Sequence, residues 1–546
     1  MSTPRRRPGA ARRIARPACL VAAGALAVGA VLPIGPSPSG GLPVRPALQP
    51  AAACRFAVAA TTGTTRTTTT TGTASPPEPR SVSTRTARDA RDPARPPSPP
   101  SPPSVRVEAA AGLLGEPGGL ACTAPSGIVL GAVDRTSLDL DATYVVRASI
   151  GWASRRLAVT TTIAIRNTSG GPIDHVLLNT VAGPLGRLRG LSATVDGRPV
   201  PATAADQTIR VPFGGVLPDG GSAEVVVRYT ATIRSDLAGP SNSAWQFTRT
   251  NGILDLYRWI PWLSREHPFA RPNHGDPFVT VTSPRVTLEL VADRPLRYAI
   301  NARRISSTDG GRHQVFVAER VRDVVLTAAP DLRTVTGTAG RTRIVVATRP
   351  GAPAATMLRV ARDAVRAFER YLGPYPYATL VVAESAGGYG VEGPGIVWIP
   401  RGIEAVRLRY LISHEIGHQW FYGLVGSDQA ADPFADEAVT DMVTRYVLGL
   451  RRAPRCTSGR LDRSIYAYSA ACYYERVYIA GGNLLDDLRR RMGTTAFFGA
   501  LRTYLDEHRF GLGSTADLVA TLDAATPLDV RAFLGRLLPS LRAGGL

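Results

Sequence analysis

Residues 414–418 read His-Glu-Ile-Gly-His, and Glu437 follows after eighteen intervening residues. No other feature of the chain constrains its fold so tightly. On a helix, positions four apart lie on one face, one turn above the other, so His414 and His418 can reach the same ion. Two imidazoles, one carboxylate and a fourth position left to water form the coordination set of a catalytic zinc. The chain must therefore bring a second helical segment, carrying Glu437, against the first. Glu415, next in sequence to the first ligand, stands where it can act on the bound water. Two surface histidines one turn apart are the bland alternative. Only seven His occur in 546 residues, however, and two of them sit here with an acid at the required interval.

At this length the chain exceeds a single compact core, and two or more domains are expected. Its formal charge is +21, and fifteen of its Arg lie in residues 1–106. A basic chain can signal nucleic acid. Lysine is absent altogether, though, and no basic helix interleaves with aromatics. The charge reads as a compositional bias, and nucleic acid is not an expected partner. Arg5, Arg6, Arg7, Arg12, Arg13 and Arg16 precede an apolar run over 18–35. Residues 1–36 are thus expected to be a signal peptide or, if retained, a membrane anchor. A secreted or cell-surface protein follows. Residues 37–106, rich in Thr, Pro, Ser and Arg, cannot bury enough apolar surface to fold and read as a linker. Outside the cytosol, Cys456 and Cys472 are candidates for a disulfide.

Residues 107–340 alternate polar with β-branched side chains, as in 157–165 (LAVTTTIAI), 223–229 (AEVVVRY) and 278–282 (FVTVT). Gly/Pro/Asn/Asp turns separate such runs, so this part reads as a large antiparallel β domain. Trp259, Pro261 and Trp262 are expected to serve packing within it. From 341 to 546 the texture changes. Strands are expected at 344–348 and 379–383, a helix at 354–371, and the motif helix at 406–425. A second helix is expected to start with Asp432 as its cap and Pro433 as its first residue. Asp436 and Asp441 are each either a partner for a ligand imidazole or part of a solvated face. Glycines at 387, 388, 390, 393 and 395 mark a close-approach loop or edge strand.

These residues resemble a family. The segment HEIGHQWFYGLV over 414–425, with Glu437 beyond it, is similar to H-E-x-x-H-Q-W-F-G-N-x-V of the gluzincin metallopeptidases of the aminopeptidase N family. The resemblance implies a multidomain α+β architecture. An N-terminal antiparallel β-sandwich or saddle domain is followed by a thermolysin-like, mainly helical catalytic domain. It also implies a short form without the family's long C-terminal helical domain, and so a more open cleft. The family's Y-x-K-G tyrosine, which helps to stabilise the oxyanion, falls on Tyr478, with Ala480 in place of the lysine. The family's G-x-M-E-N glutamate, which binds the substrate's free amino group, falls on Glu392, in a segment whose Gly, Met and Asn are not kept.

The reading is a secreted or surface-tethered zinc peptidase, most simply an aminopeptidase. His414, His418 and Glu437 are the expected metal ligands, Glu415 the general base and Tyr478 the oxyanion donor. Peptides are the expected substrates, Zn2+ the cofactor and a monomer the expected state. The alternative is a catalytically weak or inactive metallopeptidase-like binding or scaffold protein, favoured by the altered segment around Glu392 and opposed by the intact Glu415 and Tyr478.

Overall fold

Strand Leu140–Ile150 buries every second side chain and exposes the others, which is what β alternation demands of a sheet with one face inside. It belongs to a computed structural model that describes residues 127–238, 244–269 and 274–542. The expected leader and linker, 1–36 and 37–106, lie outside the described residues. Among the described residues, no helix is long and apolar enough to cross a membrane.

The largest sheet has eight strands, in the order Arg303–Thr308, His313–Val321, Ser283–Ala292, Leu140–Ile150, Arg156–Asn167, Ser222–Thr232, Arg189–Val195 and Arg198–Val200. Its pairings are antiparallel except that of Leu140–Ile150 with Ser283–Ala292, which is parallel. This corrects the wholly antiparallel expectation. A parallel pair needs a long crossover, and the chain between these two strands is long enough to contribute to two further four-stranded sheets. Residues 278–282 form no strand, contrary to expectation. Their carbonyls are taken by side chains and loops instead of a ladder: Val279 O accepts from Ser264, Val281 O from the Trp262 indole, and Phe278 O from the Gln429 backbone. Trp259 and Trp262 are buried, the latter stacked on Tyr144 at 4.1 Å, so both serve packing.

The second half opens with a five-stranded sheet in the order Arg333–Ala339, Thr342–Thr348, Thr379–Ser385, Ile396–Pro400 and Val391–Gly393. Its central pairs are parallel, and Val391–Gly393 forms an antiparallel edge. The two faces of this sheet enter different cores. Val381, Ala383, Ile396 and Trp398 pack into the cluster built by the preceding β sheets. Ile344, Leu380, Val382, Val397 and Ile399 pack into the helical cluster. The described residues on either side of position 340 accordingly form one compact unit, and the architecture is α+β. Helix Ala354–Leu372 covers the sheet and leans on the motif helix, Ala405–Gly417. Cys456 and Cys472 are joined by a disulfide.

Candidate metal centre

The motif helix ends earlier than its sequence pattern suggests. After Gly417 the chain makes a wide turn over Gln419–Leu424, in which Phe421 and Tyr422 leave helical geometry. Gly423 N–H donates to His418 O at 2.8 Å, five residues back. Such one-turn π segments recur at functional sites. The buried side chains Leu408, Ile412 and Ile416 anchor the helix in the core. The face that carries His414, Glu415 and His418 then lies in a buried site, not on the surface. Glu437 comes from a second π-type turn, Phe434–Ala438, which runs into helix Val439–Leu448. The expected cap at Asp432 is corrected. Pro433 precedes the first turn, and the Asp432 carboxylate reaches across to the backbone and hydroxyl of Thr515.

The three candidate ligand atoms form a near-equilateral triangle. His414 Nε2 lies 3.2 Å from His418 Nε2, and Glu437 Oε2 lies 3.4 Å and 3.2 Å from the two. Three vertices of a tetrahedron around a zinc ion, with bonds of about 2.0–2.1 Å, stand about 3.3 Å apart. Among the described residues, Glu437 Oε2 is buried without a hydrogen-bond partner. An isolated buried carboxylate oxygen is costly, and a cation between the three atoms removes the cost. The residues therefore fit a tetrahedral dication. Burial raises the Glu437 pKa, but His418 and His414 outweigh it and hold the carboxyl in its charged form.

Asp436 decides the tautomer of His418. Its Oδ1 accepts from Nδ1 at 2.7 Å, which leaves the lone pair on Nε2 for a metal. Asp441, the other candidate, accepts from the Tyr410 hydroxyl and pairs with Arg445 at 2.7 Å, and so touches neither imidazole. Glu415 is buried beside the triangle, and burial pushes its carboxyl up to about 7 against the pull of His414 and His418. A Cβ on Gly390 would lie 2.1 Å from Glu415 Oε1, so the glycine-rich loop makes the close approach its composition suggests. Glu392, on the edge strand, lies with Glu415 and His418 in a second group of potential ligand atoms no more than 4.8 Å apart. Gln419 ties that strand and the turn after it to the turn that follows the motif helix: its amide donates to Gly393 O at 2.9 Å and accepts from Gly395 N at 2.8 Å. Tyr478 stacks on His414 at 5.5 Å, and burial, followed by the Glu437 charge, raises its hydroxyl pKa well above the usual tyrosine value. All six expected site residues thus converge.

The fold that carries these residues has solved counterparts. An M1 zinc metallopeptidase from Deinococcus radiodurans superposes with a TM-score of 0.57 at 18% identity, over 73% of this chain and 94% of that one. A variant from the same organism bound to the tripeptide Tyr-Ser-Ala matches with a TM-score of 0.56 at 17% identity, over 75% and 96%. The chain has the fold of the M1 zinc metallopeptidases. By sequence it resembles Aminopeptidase 2 of Candida albicans, 21% identical over an alignment 390 positions long that covers 62% of this chain and 41% of that protein. No family model matches the chain. The resemblance to gluzincins of the aminopeptidase N type therefore rests on the sequence relative and the fold together.

Three residues around the candidate metal centre carry no local sequence signal. Asp276 faces the same charges: burial, then Glu437, pushes it up to about 6. Arg258, buried among Tyr257, Phe278 and Tyr422, donates to Gln429. Gln429 lies between Glu392 and Asp436. None belongs to a local motif, and only folding brings residues 258 and 276 to the catalytic half.

Proposed function

We propose that this protein is a zinc-dependent peptidase that removes residues from the amino terminus of peptides. The observation that carries the proposal is the triangle of His414, His418 and Glu437 with Glu415 set against it. His414, His418 and Glu437 would hold the ion. When bound, zinc supplies Lewis acidity, which makes water acidic near neutral pH and polarises a peptide carbonyl. Glu415 accepts the water's proton and returns it to the leaving amine. Tyr478 donates its hydroxyl hydrogen to the developing oxyanion.

Charge supports an exopeptidase. Glu392, Glu415, Asp436 and Glu437 crowd one buried site with Arg258 as a buried cation, and the half-buried Asp276 feels the same charges. Burial, followed by Asp276, raises the Glu392 pKa well above the carboxylate range. This acidic lining attracts positive charge, and a substrate ammonium group supplies it. Glu392 pairs with that ammonium and so sets which bond meets Glu415. A scaffold protein has no use for a proton acceptor at Glu415 or a hydroxyl at Tyr478, which tells against the alternative reading.

The purified protein is expected to hold close to one zinc per chain and to cleave aminoacyl substrates. Glu415→Gln should abolish hydrolysis and keep the metal. Hydrolysis that persists in this variant overturns the proposal. The leader-like residues 1–36 and the Cys456–Cys472 bridge support an extracytoplasmic location, since such bridges persist in oxidising compartments. Fractionation should recover the protein outside the cytosol, and cytosolic protein with a reduced Cys456 contradicts that placement.

A further inference from the structure

Gln429 stands at the centre of a buried polar network that joins the candidate metal ligands to Glu392. Its amide nitrogen donates to Glu392 Oε1 at 2.7 Å and to Asp436 Oδ2 at 2.8 Å. Its amide oxygen accepts from Arg258 Nη2 at 3.2 Å. All four side chains are buried. A primary amide has two N–H donors and an acceptor oxygen, and here each meets a charged group. The partners also fix the orientation of the amide, because carboxylates flank only the nitrogen and the guanidinium flanks only the oxygen.

Few side chains satisfy this position. A glutamate would bring a third carboxylate against the other two. A methionine would fill the space and leave two buried carboxylates without their donor, an expensive loss. The Gln429 main chain is held separately, since its N–H donates to Phe278 O at 2.9 Å. The side chain is thus aimed from a fixed base. On one side the path continues from Asp436 to His418 Nδ1 at 2.7 Å. On the other it reaches Arg258, which also donates to Thr280 Oγ1 at 2.7 Å.

We propose that Gln429 is a positioning residue that orients Glu392 for the substrate's amino group and Asp436 for the metal ligand His418 through one amide group. The proposal rests on the zinc aminopeptidase reading above. By occupying Glu392 Oε1, Gln429 leaves the other oxygen for the ammonium. By holding Asp436, it keeps the proton of His418 on Nδ1 and the lone pair on Nε2. Substrate affinity and zinc affinity then share one structural support.

The test compares the full protein with Gln429→Met, Gln429→Glu, Glu392→Gln and Asp436→Asn. Zinc affinity is measured by competition with a chromogenic chelator, and kcat and KM on a panel of aminoacyl 4-nitroanilides. In Gln429→Met, zinc affinity is expected to fall about tenfold to a hundredfold, and KM to rise by about tenfold, with kcat less affected. Gln429→Glu keeps the volume and the Arg258 contact but lacks both donors, so it should move the same way even if the methionine variant fails to fold. Added to Gln429→Met, Asp436→Asn should cost little more zinc affinity, and Glu392→Gln little more KM. Additive losses overturn the proposal. A wild type that binds zinc and cleaves the panel, with a folded Gln429→Glu variant indistinguishable from it, overturns this proposal alone. A wild type that does neither overturns the functional reading and this one with it.

Discussion

His418 uses its two ring nitrogens differently: Nδ1 donates to Asp436, and Nε2 faces His414 and Glu437. The spacing of four residues makes the second task legible in the sequence, because a helix turns that interval into a shared face. The first is not legible. Asp436 and Asp441 both follow the motif, and only the turn at Phe434–Ala438 points Asp436 at the ring while Asp441 is taken by Tyr410 and Arg445. Glu392 and Tyr478 were found through a family resemblance and not from spacing, since each lies far from the motif in sequence. Tyr478 carries a prediction at this scale. Its hydroxyl feels the Glu437 charge, within the candidate centre, while its ring stacks on His414. Tyr478→Phe keeps the ring and loses the donor. Turnover is expected to fall by about a hundredfold or more, with KM nearly unchanged. A rise in KM at constant kcat would assign Tyr478 to binding instead.

Among the elements, strands were easier to foresee than the ends of helices. The runs at 157–165, 223–229 and 344–348 lie in observed strands Arg156–Asn167, Ser222–Thr232 and Thr342–Thr348, because alternation is a local property. The motif helix stops short of 425 because Gly423 bonds to His418 and because Tyr422 packs under Arg258, a contact from another part of the chain. The segment Glu475–Gly481, which carries Tyr478, is anchored at its start. Glu475 accepts from both Arg452 Nη atoms at 2.7 Å and from Arg455 N at 2.8 Å. The Arg452 hydrogen bonds hold its carboxyl down at about 2. An unfolded glutamate titrates near about 4.3, so the folded state binds the proton more weakly. The stability this contributes is present above pH ~4.3 and is lost as pH falls toward ~2. Glu475→Gln should therefore lower the urea midpoint at pH 7, and the gap from wild type should narrow steadily below pH 4. A gap that is constant with pH refutes the pairing argument.

For the whole molecule, the decisive feature is the five-stranded sheet with each face in a different core. The change of texture near 340 is real in the sequence, yet it does not separate two independent interiors among the described residues. A fragment of residues 341–546 would expose Val381, Ala383, Ile396 and Trp398, which pack into the β cluster. It would also lose Arg258 and Asp276 from the site. We expect this fragment to aggregate or to melt without cooperativity, and the intact protein to show one main calorimetric transition. A cooperative melt of the fragment, with zinc bound at wild-type affinity, contradicts this view. What the sequence determined by itself was the local chemistry: helical spacing of two imidazoles, strand alternation, and a glycine-rich stretch that allows close backbone approach. These follow from interactions between neighbours a few residues apart. What only the tertiary structure decided was which acids gather around the candidate ligands, which aspartate turns His418, and that Arg258 and Gln429 join them. These contacts span from seven residues, between Gln429 and Asp436, to 171, between Arg258 and Gln429, and no local periodicity records such encounters.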